Sequence, residues 1–252
     1  MSEGKSFSGI LSQLGLGIAL GVATIACTAI ITKTYIRVKE SHNSIQVKGY
    51  AEQRIASENA VWNGTINAEH ANATEAYKLL EEVKVKTLNL IREEGYEPQQ
   101  INLRSIDRYE VHKKSADGQH ETNEVELYKL SQNIEVFSND VQKISGLPAK
   151  INELNLEGFN VSSGRLWFYY PSDKLDQLKV TLLAEASKRA RERAEQFATS
   201  SGSRLGKLLN ARQGVFQVTA PNSSDISDYG IYDTSSINKV VKIVVTMTYG
   251  VE

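Results

Sequence analysis

The sequence predicts an α+β protein: antiparallel or mixed β-sheets packed with amphipathic helices, preceded by one transmembrane helix. Three observations predict it. Apolar spacing switches between period 2 and period 3.6 in the order β-β-α-β-β-α-β-α-β-β. Hairpin-like connections dominate, and only the middle crossovers leave room for parallel pairing. Ser6 to Thr32 run 27 residues without one charged side chain.

The uncharged run comes first in the chain. A helix of that length rises about 40 Å, and the hydrocarbon layer of a bilayer needs roughly 20 residues. The chain therefore divides into a tail at 1–9, an anchor in the lipid bilayer at 10–36, a linker at 37–44 and one α+β domain at 45–252. A cleaved signal peptide is the main rival, but its apolar core runs to about 15 residues at most. Cys27 follows Ala26 as in a lipid-attachment site, yet Thr24 and the apolar Ala29-Ile30-Ile31 fit that processing poorly. Lys33, Arg37 and Lys39 follow the anchor and only Lys5 precedes it, which by the positive-inside rule favours a cytoplasmic body.

Ile45 to Gly49 alternates as a strand. Ala60, Trp62, Gly64, Ile66 and Ala68 share one face of a second strand, with Asn63, Thr65, Asn67 and Glu69 on the other. Asn72 and Glu75 have the spacing of a capping box ahead of Ala76, Tyr77, Leu80, Val83, Leu88 and Ile91 at helical spacing. Ile101–Val111 and Val125–Phe137 read as paired strands joined by a polar connection containing Asp117-Gly118. Asp140 to Leu156 reads as a helix with a break expected near Gly146-Leu147-Pro148. Phe159 to Tyr170 is a strand ending in four aromatic residues. Ser172 opens the longest helix, whose stripe is Leu175, Leu178, Leu182, Ala186, Ala190, Ala194 and Phe197. Arg204–Val218 and Val240–Tyr249 form the last hairpin, separated by a 20-residue polar loop at 219–238. A structureless loop that long is uncommon unless it is functional or disordered.

The search for chemistry returns little. Formal net charge is −1, so no global field attracts nucleic acid, and none is expected as a partner. The sole cysteine, Cys27, lies in the anchor, so the domain has no disulfide and no thiolate nucleophile. His112 and His120 flank one hairpin, and Asp225, Asp228 and Asp233 sit in the long loop; neither set has a metal-ligand spacing. The charged run from Glu185 to Glu195 has i,i+4 spacings that favour self-pairing on a solvated helix face. No catalytic residue, cofactor or metal ligand is assigned. The candidate interaction surface is Trp167, Tyr169, Tyr229 and Tyr232, because tyrosine and tryptophan anchor interfaces at low entropic cost. A subunit covering the aromatic strand and a central strand in one chain's core are both open readings.

The ordered set of motifs resembles the SIMPL-domain family of bacterial envelope proteins. It comprises Ile45-Gln-Val47-Lys-Gly49-Tyr-Ala-Glu, Ala73-Thr-Glu-Ala76, Ile91-Arg-Glu-Glu-Gly95-Tyr, Ile101-Asn-Leu and Leu166-Trp-Phe. It continues through Ala184-Glu-Ala186, Arg193-Ala194-Glu, Ser201-Gly202-Ser-Arg-Leu205-Gly206-Lys and Ile243-Val-Val-Thr-Met-Thr-Tyr249. Gly158 keeps the family's glycine, while Ala56-Ser-Glu58-Asn59 replaces its usual Pro-Asp. The resemblance implies an α+β body outside the cytoplasm, in the periplasm, against the flanking charges, and self-association into a homo-oligomer. Some members are linked to envelope or oxidative stress; it brings no catalytic residues.

The expected function is a membrane-tethered, non-enzymatic scaffold or binding module. The alternatives are a small-ligand or metal-binding sensor, with a pocket between a sheet and the alanine-striped helix, and a carboxylate- or metal-dependent hydrolase.

Overall fold

The computed structural model describes residues 17, 20–36, 43–115 and 118–252. A helix, α1, covers residues 20–36 and is exposed along its length. The rest of the anchor expected at 10–36 lies largely outside the described residues, as does most of the linker. Among the described residues, no helix is long and apolar enough to cross a membrane.

The remaining chain is α+β and divides into two compact units, each with parts of β1 (Ser44–Ala56), α4 (Ser172–Ser200) and β9 (Asn238–Val251). The larger unit holds residues 52–182 and 215–242. In it a four-stranded antiparallel sheet runs β3 (Ile101–Lys114), β4 (Glu121–Ser138), β2 (Asn59–His70), β5 (Val161–Tyr169). Helices α2 (Ala73–Glu93) and α3 (Val141–Leu156) supply its cover. The strand alternation of β2 sets the packing: Ala60, Trp62, Ile66 and Ala68 are buried with Leu80, Ile91, Ile144 and Ile151. Gly64 makes room for the Trp62 ring, since a Cβ there would lie 2.2 Å from it. Trp62 Nε1 donates to Ser163 Oγ at 3.0 Å, so the buried indole keeps its hydrogen bond.

Several expectations are sharpened here. Asn72 caps α2 by accepting from the amides of Thr74 and Glu75, but Glu75 pairs with Lys78 instead of closing a capping box. Tyr77 is exposed and Thr87 takes an inner position, its hydroxyl satisfied by the Val83 carbonyl at 2.7 Å. Helix α3 continues through Pro148 without a break. Its buried Leu147, Ile151 and Leu154 hold it across the missing amide. The β3–β4 hairpin is longer than the alternation suggests, placing His112 in the ladder opposite Val125. Ser115 ties its far end, donating from Oγ to the His120 carbonyl and accepting from the His120 amide, while Gly118 adopts φ +71°.

The polar loop at 219–238 is not structureless. Strand β6 (Leu205–Gln213) ends before Gly214, and the segment predicted as one strand resumes as β7 (Gln217–Thr219). Within the loop, β8 (Ile231–Tyr232) pairs parallel to β7, which is antiparallel to β9 at residues 240–242. Polar side chains that read as loop formers spend themselves here on local bonds, including Ser223 Oγ to Asp225 at 2.9 Å and Ser235 Oγ to Asp233 at 2.7 Å.

The smaller unit includes residues 43–51, 183–214 and 243–252. In it β9 is flanked by β1 on one side and β6 on the other. The C-terminal half of α4 lies against β1, with Gly49 so close that a Cβ would sit 1.9 Å from the Ala186 carbonyl oxygen. That contact is filled, which leaves no room at Gly49 for the ligand pocket considered between sheet and helix. The buried stripe of α4 is Leu175, Leu178, Leu182, Ala186, Ala190, Ala194 and then Ala198; Phe197, the predicted last member, is 61% exposed. The run keeps its four-residue step through to the last turn, which puts position 197 off the seam.

Candidate functional site

The four-stranded sheet buries one face under α2 and α3, and β5 is its edge strand. This overturns the reading of the aromatic strand as central. Alternation splits the aromatic run as the pleat demands: Phe168 enters the core, while Trp167 on the opposite face is 44% exposed. Register then places Val61 of β2 between Trp167 of β5 and Phe137 of β4. Phe137 is likewise 44% exposed. Adjacent strands lie about 5 Å apart, so Phe137, Val61 and Trp167 form one continuous apolar row on the face away from the helices.

The row has polar neighbours on one side and aromatic ones on the other. Toward the sheet interior, Glu135 accepts from Asn102 and from Arg104 at 3.0 Å each. Burial disfavours its charged form, but the bonds from Arg104 and Asn102 outweigh that and hold the carboxyl below its ordinary range. Further along, Thr65 donates to Asn133 Oδ1 at 2.8 Å, so the apolar row gives way to hydrogen-bonded polar side chains. At the other end, Tyr169 is half-buried beside Tyr232. The Tyr232 hydroxyl lies 3.3 Å from both the amide and the carbonyl of Tyr170. Burial, and secondarily Tyr232, push the Tyr169 phenol up.

The loop that delivers Tyr232 is pinned at several points. The Phe168 amide donates to the Thr234 carbonyl at 2.8 Å, the Asp233 amide to Val218 at 2.8 Å, and the Ser57 amide to Ile237 at 2.8 Å. Asp233 accepts from the Ser235 amide and hydroxyl and from the Ser236 hydroxyl. Lys239 is fully buried, donates to the Ser236 carbonyl at 2.5 Å and lies 3.5 Å from the Asp233 carboxylate. Burial works against the charge on Asp233, but the two serines and Lys239 dominate and hold its carboxyl down to about 2. Burial lowers the Lys239 ammonium, with Asp233 opposing.

The structure thus brings Trp167, Tyr169 and Tyr232 into one neighbourhood and adds Phe137 and Val61, which sequence reasoning missed. The missing signal was register: Phe137 and Val61 are visible as strand residues, but their alignment with Trp167 is fixed only by pairing. Tyr229 stands apart at the loop tip, 98% exposed, with its amide bonded to Ser227 Oγ. Of the loop acids considered as cation ligands, Asp225 is engaged with Ser223 and Asp233 with the serines and Lys239. Among the described residues, no three His, Cys, Asp or Glu side chains converge as a metal site.

Together these features define an α+β protein whose distinctive surface is an apolar row with two exposed aromatic rings, running across one face of a sheet to its edge strand. The chain belongs to the SIMPL family, described as "Protein of unknown function (DUF541)", whose model matches residues 45–246. No curated protein matches the chain. Among solved structures, a hydantoinase/carbamoylase family amidase from Burkholderia ambifaria is similar at 8% identity and a TM-score of 0.27. That similarity covers 47% of this chain and 29% of the amidase, so the chain spans less than a third of that protein. An uncharacterized conserved protein from Listeria innocua is similar at 10% identity and a TM-score of 0.21, over 77% of this chain and 91% of the other.

Proposed function

We propose that this SIMPL protein is a membrane-tethered, non-enzymatic scaffold that self-associates through the Phe137–Val61–Trp167 row. One observation carries the reading: two large aromatic side chains flank a valine on a sheet face that the chain's own helices leave open. Tryptophan and phenylalanine bury about 150–250 Å² each, and aromatic anchors of this kind dominate association energies. A tether at residues 10–36 confines copies to a plane and raises their effective concentration, so modest contacts suffice. The family resemblance supports a body outside the cytoplasm and a link to envelope stress.

Size-exclusion chromatography with light scattering on the detergent-solubilised full-length protein tests the assembly. Oligomers are expected for the natural sequence and monomers for the double variant Trp167→Ser/Phe137→Ser, with unchanged circular dichroism. A monomer at every concentration ends the self-association reading. A reporter fused after Glu252 fixes the side of the membrane.

A further inference from the structure

We infer that one end of the smaller unit docks on an anionic lipid headgroup layer, with Phe197 inserted at the interface; this rests on the membrane-tether reading. Chain length sets the reach. Six residues, 37–42, join the end of α1 to Asn43, and a fully extended connection of that length spans at most about 25 Å. Whatever holds α1 therefore keeps the start of β1 close.

The end of the unit where the linker enters is defined by pairing. The Val251 amide donates to the Asn43 carbonyl at 2.9 Å, and Arg204 and Glu252 exchange backbone bonds at 2.8 and 2.9 Å. The last turn of α4 joins them, because the Ser203 amide donates to the Ala198 carbonyl at 2.9 Å. Phe197 projects there as a large exposed apolar group beside a groove of about 560 Å³ that Lys48, Arg193 and Gln196 also line.

Charge selects the occupant. Residues 43–51, 183–214 and 243–252 carry eight Lys and Arg against four Glu, whereas the larger unit carries 17 against 24 acids. Three of the eight cations, Lys188, Arg189 and Arg191, pair with glutamates along α4. Arg193 spends one donor on the Lys48 carbonyl at 2.8 Å and, like Lys48, Arg204 and Lys207, has no carboxylate partner among the described residues. An exposed aromatic ring beside Lys48 and Arg193, on a unit with excess positive charge tied within reach of a bilayer, matches the chemistry of an anionic membrane surface.

The test uses the full-length protein with Cys27→Ser and one environment-sensitive fluorophore at Phe197→Cys. It is reconstituted in nanodiscs of phosphatidylcholine alone or of equal parts phosphatidylcholine and phosphatidylglycerol. A second labelled variant, Thr28→Cys, reports separately on whether the anchor is in lipid. The expected result is a blue shift and loss of iodide quenching at position 197 in the anionic discs only, reversed by salt. Each neutralisation among Lys48→Gln, Arg204→Gln and Lys207→Gln lowers the ratio of docked to free label about fivefold. Equal quenching at 197 in both discs, with the Thr28→Cys label shielded, overturns docking and leaves the tether standing. Shielding at 197 in both disc types means that protein covers the site, which also overturns it. A water-accessible Thr28→Cys label removes the tether and the docking with it.

Discussion

Lys239, with no exposed surface, stands 3.5 Å from the carboxylate of Asp233, and the two close the base of the 219–238 loop. A buried ammonium keeps its charge only beside a counter-charge, whereas Asp233 has three further donors from Ser235 and Ser236. The two partners are therefore unequal. Asp233→Asn strands a buried cation and is expected to cost about 3 kcal/mol, near the lower end for breaking a buried pair. Lys239→Met leaves the serine bonds in place and fills the same volume, at about 1 kcal/mol. Urea unfolding of both variants and the double variant measures this, and equal costs for the two single changes would refute the asymmetry.

The same carboxyl gives a pH signature. Its folded value, about 2, lies below its ordinary 3.8. A depressed carboxylate contributes stability that is fully present above the ordinary value and is lost as pH falls through the folded one. The contribution is roughly 2 kcal/mol. On the acid side, the stability gap between the natural protein and Asp233→Asn should then shrink as pH falls from about 5 to 2. A gap that stays constant down to pH 2 contradicts the assignment.

What the sequence disclosed and what it withheld divide along physical lines. Period-2 alternation in Ala60–Ala68 and the four-residue step in Leu182–Ala194 are local, and both faces came out as read. Phe197 was misplaced because a large apolar side chain outweighs a neighbouring alanine in any reading by hydrophobicity, although Ala198 keeps the step. Strand β8 was invisible: two residues carry no period, and only the β7 ladder makes them a strand. The aromatic side of the candidate surface was legible from composition, since Trp167 and Tyr169 alternate with Phe168. Its partners Val61 and Phe137 were not, because cross-strand register depends on pairing between segments 76 residues apart in sequence.

Two glycines should respond in opposite directions to the same change. A methyl at Gly49 would meet the Ala186 carbonyl oxygen at 1.9 Å and the Ala190 Cβ at 2.8 Å, neither of which is a flexible side-chain tip. Gly49→Ala is expected to destabilise by about 1–3 kcal/mol, as overpacking does. Gly146 lies inside α3 with nothing within 4 Å of a built Cβ. Gly146→Ala is expected to stabilise by about 0.5–1 kcal/mol through the lower entropy of the unfolded chain. Thermal melts of the two variants should move apart; movement in the same direction would contradict the contact distances.

The last turn of α4 offers a direct test of which side chain belongs to the seam. Ala198 is 1% exposed and follows Ala194 by four residues, while Phe197 faces water. If the seam is close-packed through Ala198, enlarging it forces the helix off its support, and Ala198→Leu should cost about 1–3 kcal/mol. Phe197→Ser removes a ring that the fold does not bury, so the loss should stay within about 0.5 kcal/mol. A reading that placed Phe197 in the core demands the reverse, with about 3–5 kcal/mol lost on truncating a buried phenylalanine. Denaturant midpoints of the two variants separate these outcomes. The small cost expected for Phe197→Ser also means that any change it makes in lipid association is a property of the surface and not of the fold.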